Sequence, residues 1–408
     1  MDRAPVYLDD EHVEFLVGSP DGGQMKRQAG FTLIEVLVAT AAMMIIAAAV
    51  YSALTSAIHT TEGVTLLADT QENLRAGMNY VVRDLVQAGE GIPQGGITIP
   101  NSGGGTPVSA LNRPLPPGST PPTFPTSWTV LPAISPGYQL GLPVLTPDPV
   151  TRGATVSGSA SDLISVIYAD TTLVDTNGHW LNEFPIYLNP GATGTPGCAA
   201  SNPNPFPAGS IATTGSTTTV TFDPSCIIIG IGNTALRAGD LIMLQSNSAT
   251  ALLTVSNVAS NSITFSAGDA FNLNASGKTQ GTITQLQPYT SATITATRIW
   301  MISYYISNAD PLRPQLMRQV NMNPPQAVGD VVENFNLLYE AVVPGTTPPS
   351  VTTNITSPTV AQLPYLRDVY VSLYARSENP FSQNGVYFRN NLVTAVSIRS
   401  LNFFNEFR

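Results

Sequence analysis

Glu35 is the residue whose chemistry most needs explaining. It is the fifth residue of an apolar stretch that starts at Phe31, and no formal charge follows it from Val36 to Thr61, where His59 is the only titratable side chain. A carboxylate in a membrane-length helix is expensive to insert, so such groups are usually paired and kept for a task. A carboxylate this near the helix end can also reach the interface with water. Just ahead of the stretch stand two cations, Lys26 and Arg27, and then two small residues, Ala29 and Gly30.

Elsewhere the residue types that carry catalysis are sparse. His12, His59 and His179 are the only histidines, and no His-Glu-x-x-His metal motif is present. A Gly-x-Ser-x-Gly nucleophile elbow is also missing. Gly277-Lys278-Thr279 has the ending of a phosphate-binding loop, but Asn272 stands where that motif needs its first glycine, so an exposed turn is the simpler reading. Asp170, Asp175 and Asn177, with Gly178 following, offer oxygen ligands for calcium yet lack the full loop pattern and its terminal Glu; a plain turn before Trp180 is expected. The expectation is a protein that is not an enzyme and holds neither metal nor cofactor.

Cys198 and Cys226 are the only cysteines. In an oxidising compartment they could close a loop over residues 199–225. Such a bridge, if unstrained, constrains the unfolded chain by about 3–4 kcal/mol. Two separate thiols are the alternative, because spacing does not prove pairing.

Positioning these residues falls to an N-terminal helix. About 20 apolar residues span a bilayer core, and the uncharged stretch after Glu35 is longer than that. Lys26 and Arg27 precede it, which places the N-terminus in the cytoplasm and everything after Tyr51 across the membrane. A secretory signal peptide would carry its small-residue cleavage site after the apolar stretch. Here Ala29 and Gly30 come before it, so a cut at that point leaves the apolar helix on the mature chain.

Lys26-Arg27-Gln28-Ala29-Gly30 followed by Phe31-Thr32-Leu33-Ile34-Glu35-Val36-Leu37 resembles the class III signal of the type IV pilin family. The resemblance implies cleavage between Gly30 and Phe31, methylation of the new amine on Phe31, and polymerisation into a filament. An inner-membrane aspartic prepilin peptidase would perform both reactions, making this chain a substrate. The resemblance also implies that Glu35 of one subunit pairs with the Phe31 amine of a neighbour, a pair weakly screened in an apolar filament core.

Residues 1–24 include Asp2, Asp9, Asp10, Glu11, Glu14 and Asp21, an unusual load for a leader near anionic lipid. Met25 starts a short basic leader, Met-Lys-Arg-Gln-Ala-Gly, which makes it a candidate for the true start; a long leader is the alternative. Removing residues 1–30 leaves 408 − 30 = 378 residues, enough for an anchor and a substantial exported body. The chain carries a net charge of −10 and only two lysines, Lys26 and Lys278. With no basic stripe, no nucleic-acid partner is expected.

The helix is expected to continue past the membrane. Leu67, Leu74, Met78, Val81 and Leu85 form one apolar stripe at helical period, with Glu62, Asp69, Glu72, Arg75, Asn79, Arg83 and Asp84 assigned to the other faces. No proline intervenes between Phe31 and Ile92, and Gly89, Gly91 and Pro93 supply the stop. Gly63 and Gly77 each cost about 1 kcal/mol relative to Ala, and Gly63 is a plausible flexible point.

Residues 94–160 are rich in Pro, Gly, Ser and Thr and are expected to be largely extended or irregular. Strand-like runs follow at 163–168, 227–231, 241–245, 252–258, 262–265, 298–307, 316–320, 331–342, 369–376 and 394–403, with 344–364 as an exposed loop. Alternation is clearest in 369–376, where one face reads Val, Val, Leu, Ala. The fold class is α+β: one long N-terminal transmembrane and amphipathic helix packed by its stripe on a largely antiparallel sheet domain with long Pro/Gly-rich loops. The divisions expected are a leader at 1–30, a transmembrane and polymerisation helix at 31–60, an amphipathic helix at 61–92 and a β-rich exported domain at 93–408, with a small β subdomain at 189–287.

A narrower resemblance is to PilW-like minor pilins. It rests on residues 78–89, where Arg83-Asp84-Leu85 precedes Ala88-Gly89, and on scattered matches at 162–168, 239–242, 302–306, 367–373 and 388–400. It implies a subunit in pilus initiation and assembly, sited at the tip because its bulk would crowd a repeating shaft. The implied partners are prepilin peptidase, other minor pilins, the major pilin, the inner-membrane assembly platform and a surface ligand or tip protein. A J-type pseudopilin of a type II secretion system shares the same features, and a tip adhesin is the reading from a different class. The implied location is the inner membrane, with the C-terminal domain periplasmic until assembly into an extracellular pilus.

Overall fold

The computed structural model describes residues 30–100, 129–141, 143–147, 154–170, 211–221, 236–246, 249–259, 262–269, 271–275, 277–278, 280–286, 295–310, 312–343 and 350–401. The chain divides into two compact units, Met1–Ile58 and His59–Arg408. One helix, Leu33–Gln87, supplies the described part of the first unit and enters the second. The remainder is strand and loop, and every strand pair among the described residues is antiparallel. The architecture is α+β.

In the first unit, Thr32 caps the helix and the side chains that follow face outward. Leu33, Met43, Ile45 and Tyr51 are among the exposed apolar residues. This stretch is long and apolar enough to cross a membrane, and none of its most apolar window is buried in protein.

In the second unit, the helix from His59 onward lies on two sheets. The larger has seven strands around Thr295–Ser307, which pairs with Leu163–Ala169, Leu241–Gln245 and Gln315–Val320. The other has four, in the order Ser350–Ile355, Val332–Val343, Leu366–Arg376, Arg389–Ser397. The expected alternation holds in the third of these: Val369, Val371, Leu373 and Ala375 are all buried. Helix residues Leu74, Met78, Val81, Leu85 and Ala88 share one core with both sheets.

Gly77 marks how closely the helix approaches. A Cβ added there would stand 3.1 Å from Leu316 Cδ2 of the seven-stranded sheet and 3.6 Å from Leu373 Cδ1 of the four-stranded one. The helix therefore sits over the seam between the two sheets. Its buried face omits Leu67 from the expected stripe and adds Thr70, Gly77 and Asp84. Leu67 is 40% exposed although it shares the helix face of Leu74 and Leu85, because the packed stretch of the helix begins only at Thr70. Asp84, assigned to a polar face, is fully buried.

Asp162 joins the sheets. Its carboxylate accepts the N–H groups of Gln139 (2.8 Å) and Leu337 (2.7 Å), while its own N–H donates to Phe335 O (2.8 Å). This closes the side of Val332–Val343 that Ser350–Ile355 leaves uncovered, since that strand pairs only from Tyr339 onward. Burial pushes the Asp162 carboxyl above its ordinary range, against the two backbone hydrogen bonds.

A smaller four-stranded sheet, containing Ile211–Thr214, Thr217–Thr221, Asn257–Ala259 and Ser262–Ser266, encloses a second core with Val220, Ile263 and Phe265. The intervening strands Leu241–Gln245 and Thr250–Thr254 belong to the seven-stranded sheet. One expectation for a loop is corrected. Residues 344–364 contain the edge strand Ser350–Ile355, whose alternating Val, Thr and Ile suit an exposed strand. Residues 94–160 contain strands at Ile97–Thr98, Val130–Leu131, Ile134–Gly137, Pro143–Pro147 and Ala154–Ala160. The expected last strand, 394–403, instead spans Arg389–Ser397.

Candidate functional site

Gly30 and Phe31 precede the first helical residue, and both are exposed. A side chain added at Gly30 would meet nothing within 4 Å, and Phe31 is 86% exposed. The Gly30–Phe31 bond thus lies ahead of the first helical residue. Lys26 and Arg27 lie outside the described residues.

Glu35 takes part in a reciprocal cap. Its Oε2 accepts the N–H of Thr32 (2.9 Å) and the Thr32 hydroxyl (2.9 Å), and the Glu35 N–H approaches Thr32 Oγ1 at 3.4 Å. Thr-Leu-Ile-Glu at the helix start is the capping-box pattern, which satisfies amide donors that a helix N-terminus otherwise leaves open. Both of these Glu35 bonds use Oε2, which leaves Oε1 facing outward for a further donor. The same arrangement serves a helix end in lipid, where an unsatisfied amide is costly.

At the other end of the helix lies a site that the sequence pattern missed. Asp84 Oδ2 accepts Arg318 Nε (2.7 Å) and the Tyr304 hydroxyl, and Oδ1 faces the Tyr168 hydroxyl (3.4 Å) and Arg83 Nε (3.2 Å). Three strands thus converge on one carboxylate. Burial and the negative charge of Asp84 push both tyrosine hydroxyls above their usual range. Burial works against the charge of Arg318, but the hydrogen bond and charge of Asp84 outweigh it and raise the guanidinium. The sequence carried little sign of it: Thr70 and Gly77, fourteen and seven residues before Asp84 on the same buried face, stand outside the apolar stripe.

The helix stops where it meets the sheet. Gly89, at φ 81°, donates its N–H to Ile167 O (2.8 Å), Ala169 N–H donates to Glu90 O (2.8 Å), and the Ser400 hydroxyl donates to Ala88 O. A left-handed glycine is the usual helix terminator.

Near the start of the second unit, a loop from Ser377 to Phe388 clasps the helix. Ser382 N–H donates to Glu62 Oε1 (2.9 Å), its hydroxyl donates to Glu62 Oε2, and His59 Nδ1 lies 3.2 Å from the same hydroxyl. Phe381 packs edge-on against both His59 and Phe388. Serine, histidine and glutamate meet here, but Glu62 binds the serine and approaches the same His59 nitrogen, Nδ1, at 3.7 Å. A catalytic relay needs the carboxylate on the far nitrogen of the ring.

Asp170 is buried against Arg298, whose Nε donates to Asp170 Oδ2 at 2.6 Å; Asp175 and Asn177 lie outside the described residues. Lys278 follows Gly277, a residue at φ 70°, as expected of a turn. Cys198 and Cys226 lie outside the described residues. Among the described residues no group of three His, Cys, Asp or Glu side chains is arranged to hold a metal.

Residues 25–51 match the family described as the prokaryotic N-terminal methylation motif. The match supports a type IV pilin-like or pseudopilin substrate of prepilin peptidase, and with the apolar helix it fits a single-pass inner-membrane anchor. No curated protein and no solved structure matches the chain.

Proposed function

We propose that this chain is a PilW-like minor subunit of a type IV pilus, cut between Gly30 and Phe31, methylated on Phe31 and incorporated at or near the tip. The observation that carries the reading is the methylation motif at residues 25–51 placed on an exposed apolar helix. The large two-sheet body supports a minor role, since repeating it along a shaft would crowd neighbouring subunits. Prepilin peptidase acts on the chain, which is a substrate and not an enzyme. The N-terminus is cytoplasmic and the body periplasmic until the filament is built with the other minor pilins, the major pilin and the inner-membrane platform.

Glu35 has two successive roles in this reading. Before assembly its Oε2 caps the helix through Thr32. On incorporation the carboxylate meets the methylated Phe31 amine of a neighbour and sets the axial register.

Two measurements test the proposal. The intact mass of the membrane-purified protein should lack residues 1–30 and carry one methyl group; an unprocessed mass in cells with active peptidase would refute it. Deletion of the gene should abolish surface pili and twitching. Intact pili with lost exoprotein secretion would assign the chain to a pseudopilus instead.

A further inference from the structure

The strand Arg389–Ser397 ends the four-stranded sheet and pairs only with Leu366–Arg376. Its nine residue pairs run without a register shift, and it is the longest edge strand among the described residues. Two hydrogen bonds fix which backbone groups face outward. Ser377 N–H donates to Phe388 O, and Ile398 N–H donates to Arg367 O. Bonded pairs alternate along antiparallel strands, so the even-numbered residues turn their N–H and C=O inward and the odd-numbered ones turn theirs away. Val393 and Ala395 therefore present backbone donors and acceptors with no strand beside them among the described residues. At Asn391 the outward N–H is already held by Asn390 Oδ1 (2.8 Å).

Exposed edges are normally blunted by charge, proline, bulges or shortness. Two other edges among the described residues follow that rule. Ser350–Ile355 has six residues and a register shift between Tyr339 and Ala341 on its partner, and Gln326–Gly329 has four residues with a shift at Leu316/Met317. Arg389–Ser397 has no proline and one charge, and the Arg389 guanidinium is held by Glu333 at 3.0 and 3.4 Å. Val393 at its centre is 53% exposed.

We propose that the Val393–Ala395 edge accepts an extended, uncharged peptide segment of another protein, added to the sheet as a fifth strand. Main-chain hydrogen bonds supply the affinity in such additions, and alternate side chains supply the selectivity. Residues 390–397 contain no ionised side chain, so a charge at the middle of the incoming strand would lose water and find no counter-charge. Val393 and Ala395, with their cross-strand partners Ser372 and Tyr370 beside them, suit valine, threonine or isoleucine. This inference stands whether the filament is a pilus or a pseudopilus.

The test uses the full chain in detergent micelles and a synthetic peptide of alternating valine and threonine with one lysine at each end. Amide hydrogen exchange is read across 389–397. Exchange at Val393 and Ala395 should slow by about tenfold or more at saturating peptide. The same peptide N-methylated at alternate residues, or carrying a central lysine, should give no protection. Ala395→Pro removes an outward N–H and leaves the pairing with Leu366–Arg376 intact; it should keep the wild-type melting transition and lose the protection. No protection at millimolar peptide, protection that survives Ala395→Pro, or an edge already protected by a second copy in a dimer would each overturn the proposal.

Discussion

Asp84 of the helix and Arg318 of the seven-stranded sheet lie 2.7 Å apart, 234 positions distant in sequence, with the carboxylate fully buried. The Tyr304 hydroxyl reaches the same oxygen. Removing one member of a buried pair strands the other, which costs about 3–5 kcal/mol. Asp84→Ala should lower stability by that amount, and Tyr304→Phe by about 1–2 kcal/mol. Denaturant unfolding of the full chain in detergent checks both, and a double-mutant cycle with Arg318→Met should show strong coupling. An Asp84→Ala protein as stable as wild type would remove this carboxylate from any account of how the helix is held.

At Glu35, substitution can separate capping from charge. Glutamine at this position of a capping box still accepts the Thr32 N–H, whereas alanine does not. If amine pairing drives incorporation, Glu35→Gln and Glu35→Ala should both be cleaved yet both fail to enter filaments. Normal incorporation of Glu35→Gln would show that the cap alone matters. Immunoblots of sheared filaments and membranes report the two steps.

Asp162 and Asp240 have carboxyls raised above the ordinary 3.8, in each case chiefly by burial. A raised folded value means that each contributes stability fully present below 3.8 and lost as pH rises through the folded value. Wild type should therefore lose stability relative to Asp162→Asn as pH is raised from 3.8 through that window, measured by the denaturant midpoint at each pH. A pH-independent difference would mean that Asp162 is not titrating with folding.

The two helix glycines should respond oppositely. At Gly63 a Cβ makes ordinary contact with Phe388 (3.7 Å) and Phe381 (3.8 Å), so Gly63→Ala should stabilise by up to about 1 kcal/mol. At Gly77 the 3.1 Å approach to Leu316 leaves no room for a branched side chain, and Gly77→Val should cost about 1–3 kcal/mol. Thermal melts of the two variants decide this.

The helix and most strands were legible because their signals are local. An uninterrupted proline-free stretch marked Leu33–Gln87, and period-two alternation marked Leu366–Arg376. A turn at 237–240 precedes the strand Leu241–Gln245, with Asp240 Oδ2 accepting the Arg237 N–H at 2.9 Å. What was hidden depends on distant partners. Asp84 reads as a surface residue until Tyr168, Tyr304 and Arg318 are brought to it from three strands. Leu67 reads as core until the packed stretch is seen to begin only at Thr70. Gly63, read as a flexible point, lies under Phe381 and Phe388, which no local pattern announces. The short strands within 94–160 were obscured by composition, since proline and glycine argue against strands that partners nevertheless recruit at sheet margins.

The bonds at the helix end also define a route for mechanical load. In the filament proposed above, a pull along the helix would reach the body of the second unit at Asp84, at Ala88 through Ser400, and at Gly89 through Ile167. These attachments come from separate strands and from the final described turn, so tension is divided among them and no single strand must be peeled away for the others to hold. Resistance to such a pull is set by how slowly the attachments break, a rate rather than an equilibrium. The carboxylate that anchors the helix at rest is, under traction, a rivet.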